Sequence, residues 1–173
     1  SFNSIDLVSA KNSRMKWFPY NKGGEVRKWY GNHYYLVNWL NDGEEMKEFT
    51  SALNQGMNVR LKSREYYFKE TISWSKISSK SISFRYYPAG FIFDVAGCCV
   101  FESKIDVFYL LGLSNSFITT LVMDLISPTL NFELDHLKKL PIIYSPSAEK
   151  SIIELVKNSI ETSKEIWDSY ETS

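Results

Sequence analysis

A helix built from residues 105–126, IDVFYLLGLSNSFITTLVMDLI, would be apolar nearly all round. No other stretch constrains the fold as much, because such a helix has to be covered by other elements. Its 22 residues are enough in length to cross a bilayer. Asp106, Asn115, Asp124 and several hydroxyls argue against a span and for a protein core. The cover has to come from the rest of a 173-residue chain, which suffices for one domain. On this reading Leu111, Leu121, Val122 and Leu125 are core residues.

The remaining pattern supplies strands and one more long helix. HYYLVNWL at residues 33–40 is rich in aromatic and β-branched types and predicts a strand. Residues 64–74, Ile82–Tyr87, Phe91–Val95 and Cys98–Phe101 predict others, with a hairpin turn at Pro88-Ala89-Gly90. Turn signals fall at Phe18-Pro19-Tyr20-Asn21 and Gly23-Gly24. Asn41-Asp42-Gly43 predicts a turn and cap for a helix with Met46, Phe49 and Leu53 on one face and Gly56 as its stop. Pro128 is the expected end of the apolar helix. Ser147 caps a last helix whose apolar stripe reads Ile152, Val156, Ile160, Ile166 and Tyr170. The fold class expected is α+β (mixed), a twisted β-sheet with a packed buried helix and a long C-terminal amphipathic helix. Residues 1–146 would form the domain, and residues 147–173 a spacer or docking arm.

Charge then narrows the function. The net charge is zero, yet residues 1–87 carry 14 Lys+Arg against 8 acids while residues 88–173 carry 6 against 12. The neutral total is therefore the sum of +6 and −6. Residues 16–32 interleave Lys and Arg with Trp and Tyr, and Arg60–Trp74 and Arg85-Tyr86-Tyr87 do so again. Cations neutralise phosphates and aromatic faces stack on exposed bases. The same rings could stack on sugars, in which case binding would be insensitive to salt. No glycine-rich phosphate loop, nucleophile elbow or metal spacing is present, so no catalytic or metal residue is assigned. Adjacent Cys98 and Cys99 cannot bridge without strain and read as small buried apolar residues in a reducing compartment. Ser1–Ala10 lacks a basic start followed by an apolar run, so a secretory leader is not expected. A start on Ser1 rather than Met fits a piece of a longer chain.

Several strings together resemble one family. They are KWFPYNKGGEVRKWYGN, VNWLNDGEEMKEF, REYYFKETISWSKIS, SFRYYPAGFIFDVAG and SPTLNFELDHLKKLPI, within residues 14–145. They are similar to the C-terminal part of bacterial adenine-specific DNA methyltransferases, of the PglX type from BREX phage-defence systems. The resemblance implies a target recognition (specificity) domain like those of TaqI-like enzymes and type I specificity subunits. It implies a catalytic domain elsewhere in the parent chain, with S-adenosylmethionine as its cofactor and an Asn-Pro-Pro-Tyr motif that this chain lacks. The fragment itself would be no enzyme and would hold no cofactor. Gly97-Cys98-Cys99 departs from the family's more frequent Gly-Ser-Ser.

The expected partners are double-stranded DNA, the catalytic domain and other defence proteins, in the cytoplasm and away from membranes. Lys16, Lys22, Arg27, Lys28, Arg64, Lys69 and Arg85 are the candidate phosphate or guanine contacts. Trp17, Tyr20, Tyr30 and Tyr87 are the candidate aromatic ones. The alternative is a protein-interaction module that uses the acidic half and the C-terminal helix.

Overall fold

A computed structural model of the chain describes residues 4–53, 61–78, 81–101, 103–127 and 131–170. The elements are α1 (Leu7–Ser13), β1 (Trp17–Asn21), β2 (Tyr35–Asn38), α2 (Leu40–Ala52), a 3-10 turn (Arg64–Tyr66), β3 (Thr71–Ser75), β4 (Phe84–Tyr87), β5 (Ile92–Phe93), β6 (Gly97–Val100), α3 (Val107–Ser114), α4 (Phe117–Ile126), α5 (Leu134–Leu137) and α6 (Glu149–Asp168). The α+β class is therefore as expected, but the strands form two sheets rather than one. The predicted stops at Gly56 and Pro128 lie outside the described residues.

One sheet has the order β2-β1-β5, antiparallel between β1 and β2 and parallel between β1 and β5. Phe18-Pro19-Tyr20-Asn21, which the sequence predicts as a turn, is the body of β1. Pro19 is tolerated there because no ladder hydrogen bond has to come from its nitrogen. The face of this sheet that carries Phe18 meets Trp39, Tyr67 and Phe68 in the smaller of two cores.

The second sheet, β4-β3-β6, is antiparallel throughout. Its central strand TISWS is buried along its whole length, and period-two alternation splits it by chemistry. Ile72 and Trp74 join Phe84, Leu111, Met123, Phe132, Val156 and Ile160 in the larger core. Thr71, Ser73 and Ser75 lie on the opposite side, where buried hydroxyls need partners. The Thr71 hydroxyl donates to Val100 O at 2.7 Å, and the Ser75 hydroxyl donates to Gly24 O at 2.7 Å. Asn21 Nδ2 donates to Ser73 Oγ at 2.7 Å and so ties β1 to the second sheet.

The apolar stretch at 105–126 is not one buried helix. It is two, α3 and α4, bent by 63° at Asn115-Ser116. Asn115 is the cause. Its side-chain oxygen accepts from Phe84 N at 3.0 Å, and its Nδ2 donates to Phe84 O at 2.9 Å. The helix thus stops to satisfy the edge of β4, and Ser116 caps the next one by accepting from Thr119 N. Leu111 is core, as expected. Leu121 and Leu125 are exposed, Val122 is half-buried, and Phe117 is 77% exposed. Among the described residues no single helix is long and apolar enough to cross a membrane.

Helix α6, set apart on sequence as an arm, sends Val156 and Ile160 into the larger core. Its buried stripe continues to Trp167, while Ile166 and Tyr170 are half-exposed. The sequence stripe therefore drifts one position from the packed one at its end.

Candidate nucleic-acid interface

The loop from Lys22 to Asn32 connects β1 to β2 by crossing the outer side of β4. Trp29 N donates to Phe84 O at 2.9 Å, and Tyr86 N donates to Trp29 O at 2.8 Å. The loop thus behaves as an extra, irregular strand beside β4, and it covers the polar face of the second sheet. Gly23, at φ +72°, has a conformation that favours glycine, and a Cβ there would lie 2.7 Å from Ala96 O. Its close backbone approach is to β6's leading loop, so the Gly23-Gly24 pair serves the fold. It opens no helix, so it is not a phosphate-binding turn of the kind that leads into a helix N-terminus.

That covering loop decides the fate of Arg85, which the sequence offers as a DNA contact. The register pairs Arg85 with Ser73, so its side chain points into the polar layer. It is 0% exposed. Its Nη1 donates to Glu25 O and Arg27 O at 3.3 Å, and its Nη2 donates to Ser75 Oγ at 2.9 Å. Arg85 is therefore a structural tie between the loop and the sheet, and the expectation of a DNA contact is corrected. Tyr87, two residues on and also 0% exposed, is corrected for the same reason. Burial pushes its phenol up, against the pull of Arg85.

The other candidates fall into two groups. The first is committed to the protein. Lys28 Nζ donates to Asn115 O at 2.9 Å. Arg64 pairs with Asp42 at 2.7 Å, which Lys47 also engages, and its guanidinium lies 5.8 Å from the Trp39 ring. Lys69 is the exception in this group: it is exposed, and its Nζ lies 5.0 Å from the Tyr66 ring, the same kind of contact that Lys16 and Lys22 make. The Tyr20 hydroxyl donates to Asp94 Oδ2 at 2.6 Å, and burial followed by that carboxylate holds the phenol well above its ordinary range. Tyr20 and Asp94 form one side of a groove of about 810 Å3, with Tyr66 and Phe101 among its other lining residues. Tyr30 packs its ring 4.6 Å from His33.

The second group faces outward around β1 and β2. Lys16 is exposed, with Nζ 5.3 Å from the ring of half-exposed Trp17. Lys22 is exposed, with Nζ 5.5 Å from the ring of Tyr35. Among the described residues neither lysine has a carboxylate partner. Arg27 is half-buried, with Cζ 5.1 Å from the Trp167 ring. Tyr34 and Tyr35 were missed on sequence, where both counted simply as strand residues. The signal was there: adjacent aromatics in a period-two strand point to opposite faces, so one of them has to leave the core. Both are in fact exposed, Tyr35 at the start of β2 and Tyr34 just before it, with its ring 4.7 Å from that of Trp167.

Among the described residues no group of three His, Cys, Asp or Glu gathers to hold a metal ion. Cys98 and Cys99 are free. Both are half-buried rather than buried as expected, and burial pushes the Cys99 thiol up to about 12.

What these parts define is an α+β unit with a basic-aromatic edge. No family profile matches the chain. It is 38% identical over its full length to the adenine-specific methyltransferase BrxX of Escherichia coli O9:H4 (strain HS). It is 37% identical over 91% of its length to the adenine-specific methyltransferase PglX of Lacticaseibacillus casei (strain Zhang). In each case it spans 13% of the relative's length. The resemblance to BREX-type adenine-specific methyltransferases is thus shown, and the chain corresponds to one segment of such proteins.

Proposed function

We propose that this chain is the sequence-specific double-stranded DNA recognition segment of an adenine-specific methyltransferase that works in phage defence or restriction–modification. Residues 1–146 are the proposed recognition unit and residues 147–173 the proposed C-terminal segment, whose helix α6 (Glu149–Asp168) packs into the larger core. The observation that carries the reading is the β1–β2 edge, where Lys16 and Lys22 lie beside Trp17 and Tyr35 with no carboxylate partner among the described residues. Lysines of this kind position a duplex by its phosphates, and nearby rings and polar groups read or wedge against bases. Methyl transfer belongs to the rest of the parent chain, with S-adenosylmethionine as donor. The proposed location is the cytoplasm, where such an enzyme meets its DNA.

The test is duplex binding by the intact protein across a salt series. Each lost phosphate contact lowers the slope of log affinity against log salt by about one. A Lys16→Ala/Lys22→Ala variant is expected to bind more weakly on all sequences, with a slope lower by about two. An unchanged slope in a folded variant would remove this edge from the DNA interface.

A second reading is favoured by α4, whose Phe117, Ile118, Leu121 and Leu125 form an exposed apolar face. Such a face suits contact with the rest of the parent chain or with a defence partner. Phe117→Lys and Leu125→Lys would weaken that assembly and leave the salt slope of DNA binding alone.

A further inference from the structure

We propose that Trp167, at the end of α6, is a positioning residue for DNA binding: it holds the Arg27 guanidinium flat, with its N–H edge free for a phosphate or a guanine. The proposal rests on the DNA-binding reading above and assigns a part in it to the helix that the sequence places away from DNA.

The loop that carries Arg27 cannot order itself. Trp29 and Asn32 have φ of +72° and +65°, and no regular ladder runs through it. Its backbone is fixed from one side by β4, since Arg27 N donates to Ser83 Oγ at 3.1 Å and Arg27 O accepts from Arg85. Its side chains are fixed from the other side by α6. Trp167 is 4% exposed. Its ring lies 5.1 Å from Arg27 Cζ, 4.7 Å from the Tyr34 ring and 5.9 Å from the His33 ring. Tyr170, one helical turn on, comes within 5.8 Å of the same guanidinium. Gly31, at φ +119°, makes room, because a Cβ there would lie 2.8 Å from Trp167 Cε3.

An aromatic stack covers the face of a guanidinium and leaves its in-plane donors available. Among the described residues no carboxylate pairs with Arg27. Lys16 and Lys22 are long, exposed stems that lose conformational freedom when they meet DNA. Arg27 is already held, so its contact is the pre-organised one. The anchor behind it is rigid, since Val156 and Ile160 fix the rest of α6 in the larger core.

The test is a double-mutant cycle in the intact protein, read as duplex affinity across a salt series, with thermal stability measured alongside. Trp167→Ala and Arg27→Ala are each expected to weaken binding about tenfold, and the double variant no further. Trp167→Phe, which keeps a ring, is expected to retain near wild-type affinity. Arg27→Lys leaves Trp167 untouched and keeps the charge but not the planar stack, so it is expected to behave like Arg27→Ala. Additive losses, or an Arg27→Lys variant that binds like wild type, would overturn the proposal while the DNA reading stands. Wild-type binding that ignores salt would instead defeat the DNA reading and this inference with it.

Discussion

Strands β1 and β4 both come with basic residues that look alike in the sequence, yet they put them to opposite uses. At the ends of β1, Lys16 and Lys22 lie over exposed rings and face solvent. In the middle of β4, Arg85 is wholly buried and spends its donors on backbone and serine oxygens. The cause is the neighbour. β1 lies beside β2, an edge strand among the described residues, whereas β4 is overlaid by the loop from Lys22 to Asn32. A lysine's single flexible ammonium suits an open edge, and a guanidinium's fork suits several fixed oxygens at once. A basic residue therefore reads as a DNA contact only after one knows what lies over its strand.

The sharpest way to break this comparison is Arg85→Met. It keeps bulk but leaves Glu25 O, Arg27 O and the Ser75 hydroxyl without their shared donor. Glu25 O keeps Asn32 Nδ2 and the Ser75 hydroxyl keeps Gly24 O, so the main loss is at Arg27 O, and a cost of about 1–3 kcal/mol is expected in chemical denaturation. A variant as stable as wild type would mean that the loop is held without Arg85, and the two strands would no longer differ in the way described.

His33 extends the contrast to a group that titrates. Tyr30, Tyr87, Phe91 and Trp167 surround its ring, and its Nε2 is buried with no hydrogen-bond partner among the described residues. Burial, helped by Arg85, brings its pKa down from 6.5 to about 3. Between these values the folded state binds fewer protons than the unfolded one, so stability rises with pH. The contribution is complete above about pH 6.5 and is lost as pH falls toward 3. One proton sets a slope of at most about 1.4 kcal/mol per pH unit. His33→Phe keeps the ring without the proton, and its midpoint of thermal unfolding is expected to vary less across this window. If it remains as acid-sensitive as wild type, the lability lies elsewhere, as at Asp42. Burial pushes that carboxyl up, but Lys47 and Arg64 hold it below its ordinary value.

Lys28 tests the border between the two uses. It is half-buried, and its ammonium ends on Asn115 O, the residue that breaks the apolar helix. Lys28→Met is expected to cost about 1 kcal/mol of stability and to leave the salt slope of DNA binding unchanged. A slope lower by about one would move Lys28 to the outward group.

Much of this could be read from the sequence, and what could not has identifiable causes. The turn at Asn41-Asp42-Gly43 is legible because Asn, Asp and Gly tolerate the left-handed backbone that all three adopt, with φ of +52°, +62° and +72°, but the predicted cap is not found: the N-cap position is Trp39, with no side-chain cap hydrogen bond. The core role of Leu111 and the long last helix followed from periodicity. The break at Asn115 did not, because its reason is a strand 31 residues away whose edge needs a donor and an acceptor. β1 was read as a turn because Pro19 and Asn21 are turn formers, and the pairing with β2 overrode that local preference. At the site, Lys16, Trp17 and Lys22 were legible as basic-aromatic neighbours. Arg85 and Tyr87 had the same local signature and were misread, since period-two alternation says which residues share a face but not which face is covered. The apolar stripe in the sequence runs through Ile166 and Tyr170, which sit at helical spacing similar to that of Trp167. The choice between them depends on the loop against which the helix packs.

The smallest effect expected concerns the same end of α6. Asp168 and Glu161 lie close enough to Tyr30 to add to burial in holding its phenol up. If a duplex reaches Arg27, a carboxylate at this position repels its phosphates. Asp168→Asn removes one such charge from an exposed site, where a charge interaction is worth well under about 1 kcal/mol. Affinity is expected to rise about twofold at low salt, and the gain should fade as the Debye length shrinks toward about 8 Å at physiological ionic strength. Titrations of wild type and variant at two salt concentrations measure this directly. No gain at low salt would mean that the duplex stays on the β1–β2 edge and never approaches α6. Arg27 would then belong with Arg85 as a basic residue kept for the fold.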